Sequence, residues 1–145
     1  MSITYKEIKA RLTDLGFEED DITNDEYARI FVNSLNRAGE IVYGTVMLAI
    51  EGYLHSLYKD DYVDEWGNEK ELPKITRVTE DTADEDEIEI PYILVPLYTL
   101  LAAHYAWLDD DITKATIYWN EYDSLKNEII ANANKIRKAV IIGGF

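Results

Sequence analysis

Between Ile90 and Leu108 the chain is apolar almost without interruption, the longest such run in its 145 residues. Pro91, Pro96 and His104 break it up, so it does not read as a membrane span, which needs about 20 consecutive apolar residues. A proline in the first turn of a helix costs little, because those amides lack intrahelical partners. A helix is therefore expected to begin between the two prolines or at Pro96. Leu97, Leu100, Leu101 and the His104-Tyr105 pair make it apolar or aromatic nearly all round, which predicts the most buried helix of the fold. Apolar residues form 47% of the sequence and aromatic residues 12%, enough for one packed domain and too much for a disordered chain. The start, MSITYKEIKARL, lacks the apolar stretch of a signal peptide.

Helical periodicity surrounds this run. Thr4-Tyr5-Lys6-Glu7 and Thr23-Asn24-Asp25-Glu26 both have the form of a capping box. After the first, Tyr5, Ile8, Leu12 and Leu15 recur at three- and four-residue intervals, and Gly16 supplies a left-handed stop. Acidic Glu18–Asp21 reads as a connector. From Asn24 to about Tyr58 the pattern stays helical, with Gly39, Gly44 and Gly52 inside it, each costing about 1 kcal/mol relative to Ala. Either the helix bends or breaks near Gly39, or the glycines admit a neighbouring backbone; one long, bent helix is the favoured expectation. Asp109–Asp111 forms a turn and caps a last helix. There Ile112, Ala115, Trp119, Tyr122, Ile129, Ala133 and Ile136 alternate at threes and fours as far as Lys138. Trp107, Tyr118, Trp119 and Tyr122 are expected to form an aromatic core layer between the last two helices.

Residues 59–90 differ. Tyr62–Trp66 and Lys70–Val78 flank Gly67-Asn68, a dipeptide suited to a tight reversal. Thr79–Glu87 (TEDTADEDE) holds six acids and no base, and reads as an exposed, mobile acidic tip. Ile88 and Ile90 alternate with Glu87 and Glu89, as in a short extended arm. At the other end, Lys135, Arg137 and Lys138 form a basic cluster before Ala139-Val140-Ile141-Ile142-Gly143-Gly144-Phe145. A β-branched, aromatic terminus either packs back on its own domain or pairs with another chain. In the second case Lys135, Arg137, Lys138, Val140, Ile141, Ile142 and Phe145 are the candidate partner-binding residues.

The charge excludes several functions. With 14 basic and 29 acidic residues the formal net charge is −15 at pH 7, which opposes non-specific binding to nucleic acid or anionic membranes. There is no cysteine, hence no disulfide, thiolate nucleophile or cysteine metal site. HExxH, Walker, GxGxxG and GxSxG patterns are missing. His55 and His104 stand far apart in sequence, and a core histidine bonding a backbone group explains His104 better than a general base does. Asp109–Asp111 is explained by capping, and no cofactor or metal is expected. The charge is also uneven. Residues 59–89 carry thirteen acids and four bases, whereas residues 126–145 carry four bases and one acid.

Three stretches resemble the head-to-tail adaptor (connector) proteins of tailed bacteriophages. Asp25–Ala38 (DEYARIFVNSLNRA) is similar to the early helix of that family. Glu71–Asp81 (ELPKITRVTED) resembles its Leu-Pro-led extended segment. Ile90–Glu128 (IPYILVPLYTLLAAHYAWLDDDITKATIYWNEYDSLKNE) resembles its closing helical hairpin, with an alanine-rich first helix, an acidic turn and an aromatic second helix. The long glycine-containing stretch Gly39–Gly52 departs from the family's regular early helix. The resemblance implies a non-enzymatic virion protein of the neck, assembled in the host cytoplasm as a homo-oligomeric, twelvefold ring. Such a ring docks on the portal, extends the DNA channel and presents a surface to tail or stopper proteins, while DNA passes without specific binding. On that view Asp81, Asp84, Glu85, Asp86 and Glu87 are candidates to face the channel.

The expected fold is all-α: a bundle of about four helices over residues 1–138, with a hairpin-like excursion at 59–90 and an extended C-terminal tail at 139–145. The competing function is an acidic DNA-mimic or inhibitor that occupies a basic partner.

Overall fold

The computed structural model describes residues 1–18 and 25–143, with the side chains of residues 25, 26 and 137–143 outside that description. The second capping box therefore lies largely outside the described residues. Helix α1 spans Tyr5–Asp14, α2 Asp25–Val42, α3 Glu51–Leu57, α4 Lys59–Tyr62, α5 Val95–Trp107 and α6 Ile112–Gly143. Two short strands, β1 (Ser2–Thr4) and β2 (Glu87–Glu89), complete the described elements.

Helix α5 is the centre, as its apolar sequence requires. One 3₁₀ turn, Tyr92–Leu94, leads into it, and Pro96 occupies its first turn, where no amide is missed. Val95, Leu97, Tyr98, Leu101, Ala102, Ala103 and Ala106 are all buried. Helix α2 packs on α5 through a stripe that includes Phe31, Leu35, Ala38 and Val42, while α6 packs on α5 and also touches α3, burying Ala115, Tyr122, Ile129 and Ala133. Helix α1 also lies against α5, burying Tyr5, Ile8 and Leu12. Its ends form as expected: the Thr4 hydroxyl accepts from the Glu7 amide at 3.3 Å, and Gly16 has φ +92°. The Asp111 carboxylate likewise accepts from the Lys114 amide at 3.1 Å and caps α6.

The helix expected over 24–58 is not continuous. After Val42 the backbone widens into a π-helical turn at Tyr43–Met47, turns again at Leu48–Ile50, and resumes as α3. The break falls after Gly39, where local chemistry favours it. Gly44 has low helix propensity, and the Thr45 hydroxyl donates to the Ile41 carbonyl at 2.7 Å, a back-bond that bends helices. Gly39 itself stays helical and admits a side chain. A Cβ there would lie 3.4 Å from Ile75 Cγ2 and 3.5 Å from the Tyr98 ring.

Ile75 belongs to an extended segment that crosses α2 and buries Leu72, Ile75 and Val78. The Asn36 amide pairs with both backbone groups of Val78, donating to its carbonyl at 2.9 Å and accepting from its amide at 2.8 Å. One side chain thus does what a neighbouring strand would do. The reversal at Gly67-Asn68 is present as a single antiparallel bridge between Val63 and Glu69, with Gly67 at φ +80°. The two-stranded sheet is a different pairing, β1 antiparallel to β2, with Ile3 opposite Ile88 and both buried.

Two further expectations are corrected. Trp119 is 39% exposed, against 2% for Tyr122, so the aromatic layer between α5 and α6 includes Tyr122 but leaves Trp119 on its flank. Helix α6 continues over residues 139–143, where the β-branched sequence reads as an extended tail. A long helix adds residues cheaply once nucleated, and valine and isoleucine lower its propensity only slightly.

Tyr122→Ala is expected to destabilise by about 3–5 kcal/mol, as for other buried aromatic truncations, and Trp119→Ala by only about 1–2 kcal/mol, in line with its partial burial. Chemical denaturation of the two variants measures the contrast, and equal losses would contradict the placement of the rings. At Gly39, Ala meets only van der Waals contact and gains up to about 1 kcal/mol of helix propensity. Leu overpacks against Ile75 and Tyr98 and loses about 1–3 kcal/mol. Melting temperatures of both variants should move in opposite directions.

Candidate functional site

The two histidines are built into the framework. His55 is buried, with Nδ1 2.8 Å from the Glu51 carbonyl oxygen and Nε2 2.5 Å from the Lys70 carbonyl oxygen. It ties α3 to the end of the Val63–Glu69 bridge. His104 Nδ1 donates to the Ala115 carbonyl at 2.7 Å, joining α5 to α6, and its ring lies beside Tyr105 and Trp119. Burial pushes the Tyr62 and Tyr98 hydroxyls well above the ordinary tyrosine range, and both stay neutral under ordinary conditions. Among the described residues, no three of His, Asp and Glu sit close enough together to hold a metal ion. No described helix is long and apolar enough to cross a membrane.

The acidic segment Thr79–Glu87 is largely exposed, as its composition requires, but it is pinned rather than mobile. Its backbone caps α1: the Tyr5 amide donates to the Asp86 carbonyl and the Lys6 amide to the Asp84 carbonyl, each at 2.9 Å. The Asp86 carboxylate accepts from the Ala83 amide at 2.8 Å, and the Asp81 amide donates to the Thr79 hydroxyl at 3.2 Å. The Ser2 hydroxyl donates to the Glu87 carboxylate at 3.0 Å across the sheet. Asp84 forms an ion pair with Lys9. Asp81 and Glu85 present exposed side chains. Asp81, Asp84, Glu85 and Asp86 therefore share one ordered loop beside the N-terminus of α1, where the helix dipole also favours negative charge, and Glu87 follows as the first residue of β2. Glu80, beside them, lies 3.7 Å from Arg29 on α2.

The basic cluster is at the other extreme of the chain. Lys135 and Ile136 are exposed, while Ala133, one helical turn earlier, is buried. The candidate side chains Arg137, Lys138, Val140, Ile141 and Ile142 lie outside the described residues, as does Phe145. Helix α6 has 32 residues against 13 in α5, or about 48 Å against about 20 Å at 1.5 Å per residue. Much of its length cannot be covered by α5 alone.

Two surface features escape the sequence patterns. Trp66 is 77% exposed, on a turn whose geometry is fixed by Asp64: that carboxylate accepts from the Trp66 amide at 2.9 Å and the Asn68 amide at 2.8 Å. The Gly-Asn reversal marks the turn, but alternation along Tyr62–Trp66 does not reveal that the indole faces solvent. The second is a cavity of about 210 Å³ where the ends of α1, α2 and α5 meet. There the Phe17 ring stacks on Trp107 and meets Phe31 edge-on, both at 4.8 Å between centroids.

Asp84 gives a direct check on the loop. A hydrogen bond from the Lys9 ammonium, and secondarily the charges of Lys9 and Lys6, hold its carboxyl below the ordinary aspartate value. Its folded-state value is depressed, so the contribution to stability is present above the ordinary aspartate range and is lost as pH falls through the lowered value. Carbon-13 NMR titration should find Asp84 titrating below the ordinary aspartate value, and Lys9→Met should raise it back towards that value. No family model, curated protein or solved structure matches the chain.

Proposed function

We propose that this chain is a structural adaptor: a head-to-tail connector of a tailed phage that docks on a portal as a homo-oligomeric ring and extends the DNA channel. The observation that carries the proposal is the segregation of charge on the fold. Acids are displayed on an ordered loop at one end of α1, and the bases gather at the far end of the longest helix, beyond the last described residue buried against the body. A basic helical end suits an acidic rim on a neighbouring subunit or on the portal, where opposite potentials steer and orient docking. An acidic lining repels the phosphate backbone, which lets DNA slide instead of sticking.

The test is assembly with a purified portal, followed by the mass of the resulting particle. Removal of residues 139–145 should leave the circular dichroism spectrum and melting temperature of the body nearly unchanged and abolish docking. Docking by the truncated chain at full strength would refute the role of the apolar tail that follows the basic cluster. Displacement of DNA from a basic DNA-binding protein, without any portal complex, would instead favour a DNA-mimic.

A further inference from the structure

We infer that His55 is a proton-operated latch: as an imidazolium it holds the Lys70 carbonyl against α3 and fixes the turn that carries Trp66, and loss of its Nε2 proton lets that turn go. Both ring nitrogens face carbonyl oxygens, Glu51 at 2.8 Å from Nδ1 and Lys70 at 2.5 Å from Nε2. A neutral imidazole has one N–H and one lone pair, so it can donate to one of these oxygens only. Its other nitrogen would press a lone pair on a carbonyl oxygen at hydrogen-bonding distance. No water fits between atoms so close, and the residue is only 2% exposed, so solvent cannot relieve the repulsion. Two donors are required, and the imidazolium alone has them. Such charge-assisted bonds are also the stronger kind.

The charges around the ring decide which proton leaves first. On the Nδ1 side the Glu69 carboxylate lies 3.9 Å away, in addition to the Glu51 carbonyl, and among the described residues no other carboxylate comes within 4 Å of the ring nitrogens. Tyr62 of α4 meets the ring edge-on at 6.4 Å, and its hydroxyl is neutral. Asp61 and Glu89, whose charges act on Tyr62, are ion-paired with the Met1 amino group at 3.3 and 3.1 Å. Glu51 and Lys70 face the imidazole with their carbonyls and carry exposed side chains. Negative potential therefore holds the Nδ1 proton, and Nε2 gives up its own first.

The Lys70 carbonyl is the point at which the turn is tied to α3. Within the turn the Asp64 amide donates to the Asn68 carbonyl at 2.8 Å, and at its base the Lys70 amide donates to the Tyr62 carbonyl at 2.9 Å. A bare Nε2 turns the tie to Lys70 into a repulsion. The closed turn thus binds one more proton than the open one, and rising pH favours opening. Imidazole ordinarily changes charge between about pH 5 and pH 8, so a modest change of pH works the latch. The device belongs to the fold and stands or falls apart from the adaptor function.

Long-range nitrogen-15 NMR of the histidine rings in the full chain, from about pH 5 to about pH 9, reads the two nitrogens separately. At the acid end both His55 nitrogens should carry hydrogen, and with rising pH Nε2 should lose it while Nδ1 keeps it. At the same midpoint the Lys70 amide should exchange with solvent roughly tenfold faster or more, after correction for the intrinsic pH dependence of exchange, as befits loss of a charge-assisted bond. The Trp66 indole resonance should shift with it. Glu69→Gln, an exposed change, should leave circular dichroism unaltered and move the midpoint to lower pH. A bare nitrogen on His55 at the acid end, loss of the Nδ1 proton first, Lys70 exchange indifferent to the state of the ring, or a midpoint unmoved in Glu69→Gln would each overturn the latch.

Discussion

A helix that is apolar on every side has to be surrounded, and that demand on α5 organises the rest of the molecule. Helices α1, α2 and α6 each lay a three–four stripe against it. The remaining gap is closed by the extended segment carrying Leu72, Ile75 and Val78. That segment has no regular strand partner beside it, so its backbone groups need other acceptors and donors. Asn36 meets the need at Val78, Thr76 bonds to Glu89, and Gly39 gives Ile75 room to reach the core.

Local chemistry was legible in the sequence, and distant pairing was not. Thr4, Gly16 and Asp111 set helix ends through side chains or φ values within a few residues, and the structure places all three as the patterns predict. Strand β1 could not be read, because its three residues pair with Glu87–Glu89 more than eighty positions away and its last residue carries the stronger signal of a helix cap. The interruption at Tyr43–Ile50 was hidden for another reason. Val42, Val46, Ile50 and Leu54 keep a four-residue spacing straight through it, so burial stays periodic while the backbone does not. In α6 the rows through Ala115 and Tyr122 and through Ile112 and Trp119 have the same seven-residue spacing. Only the position of α5 decides which row is covered.

The acidic loop shows that a segment's composition does not set its mobility. Six acids in nine residues ensure exposure, because isolated carboxylates are too costly to bury. Order comes from the backbone carbonyls of the same residues, which satisfy the first amides of α1. The loop thereby holds its carboxylates at fixed positions relative to the bundle. Of the candidate surface residues, this group was located from the sequence and Trp66 was not. Charge is a property of composition, whereas the facing of one indole depends on a turn.

Net charge then constrains how such a molecule can associate. Copies bearing −15 repel one another at long range, but a Debye length of about 8–10 Å at physiological ionic strength confines that repulsion to surfaces almost in contact. Association of such copies is favoured where the local balance departs from the average, as at the basic end of α6. It also has to draw most of its energy from apolar insertion, which salt does not screen. In the proposed ring, the carboxylates that keep free copies apart would also give the assembly a surface that repels polyanions.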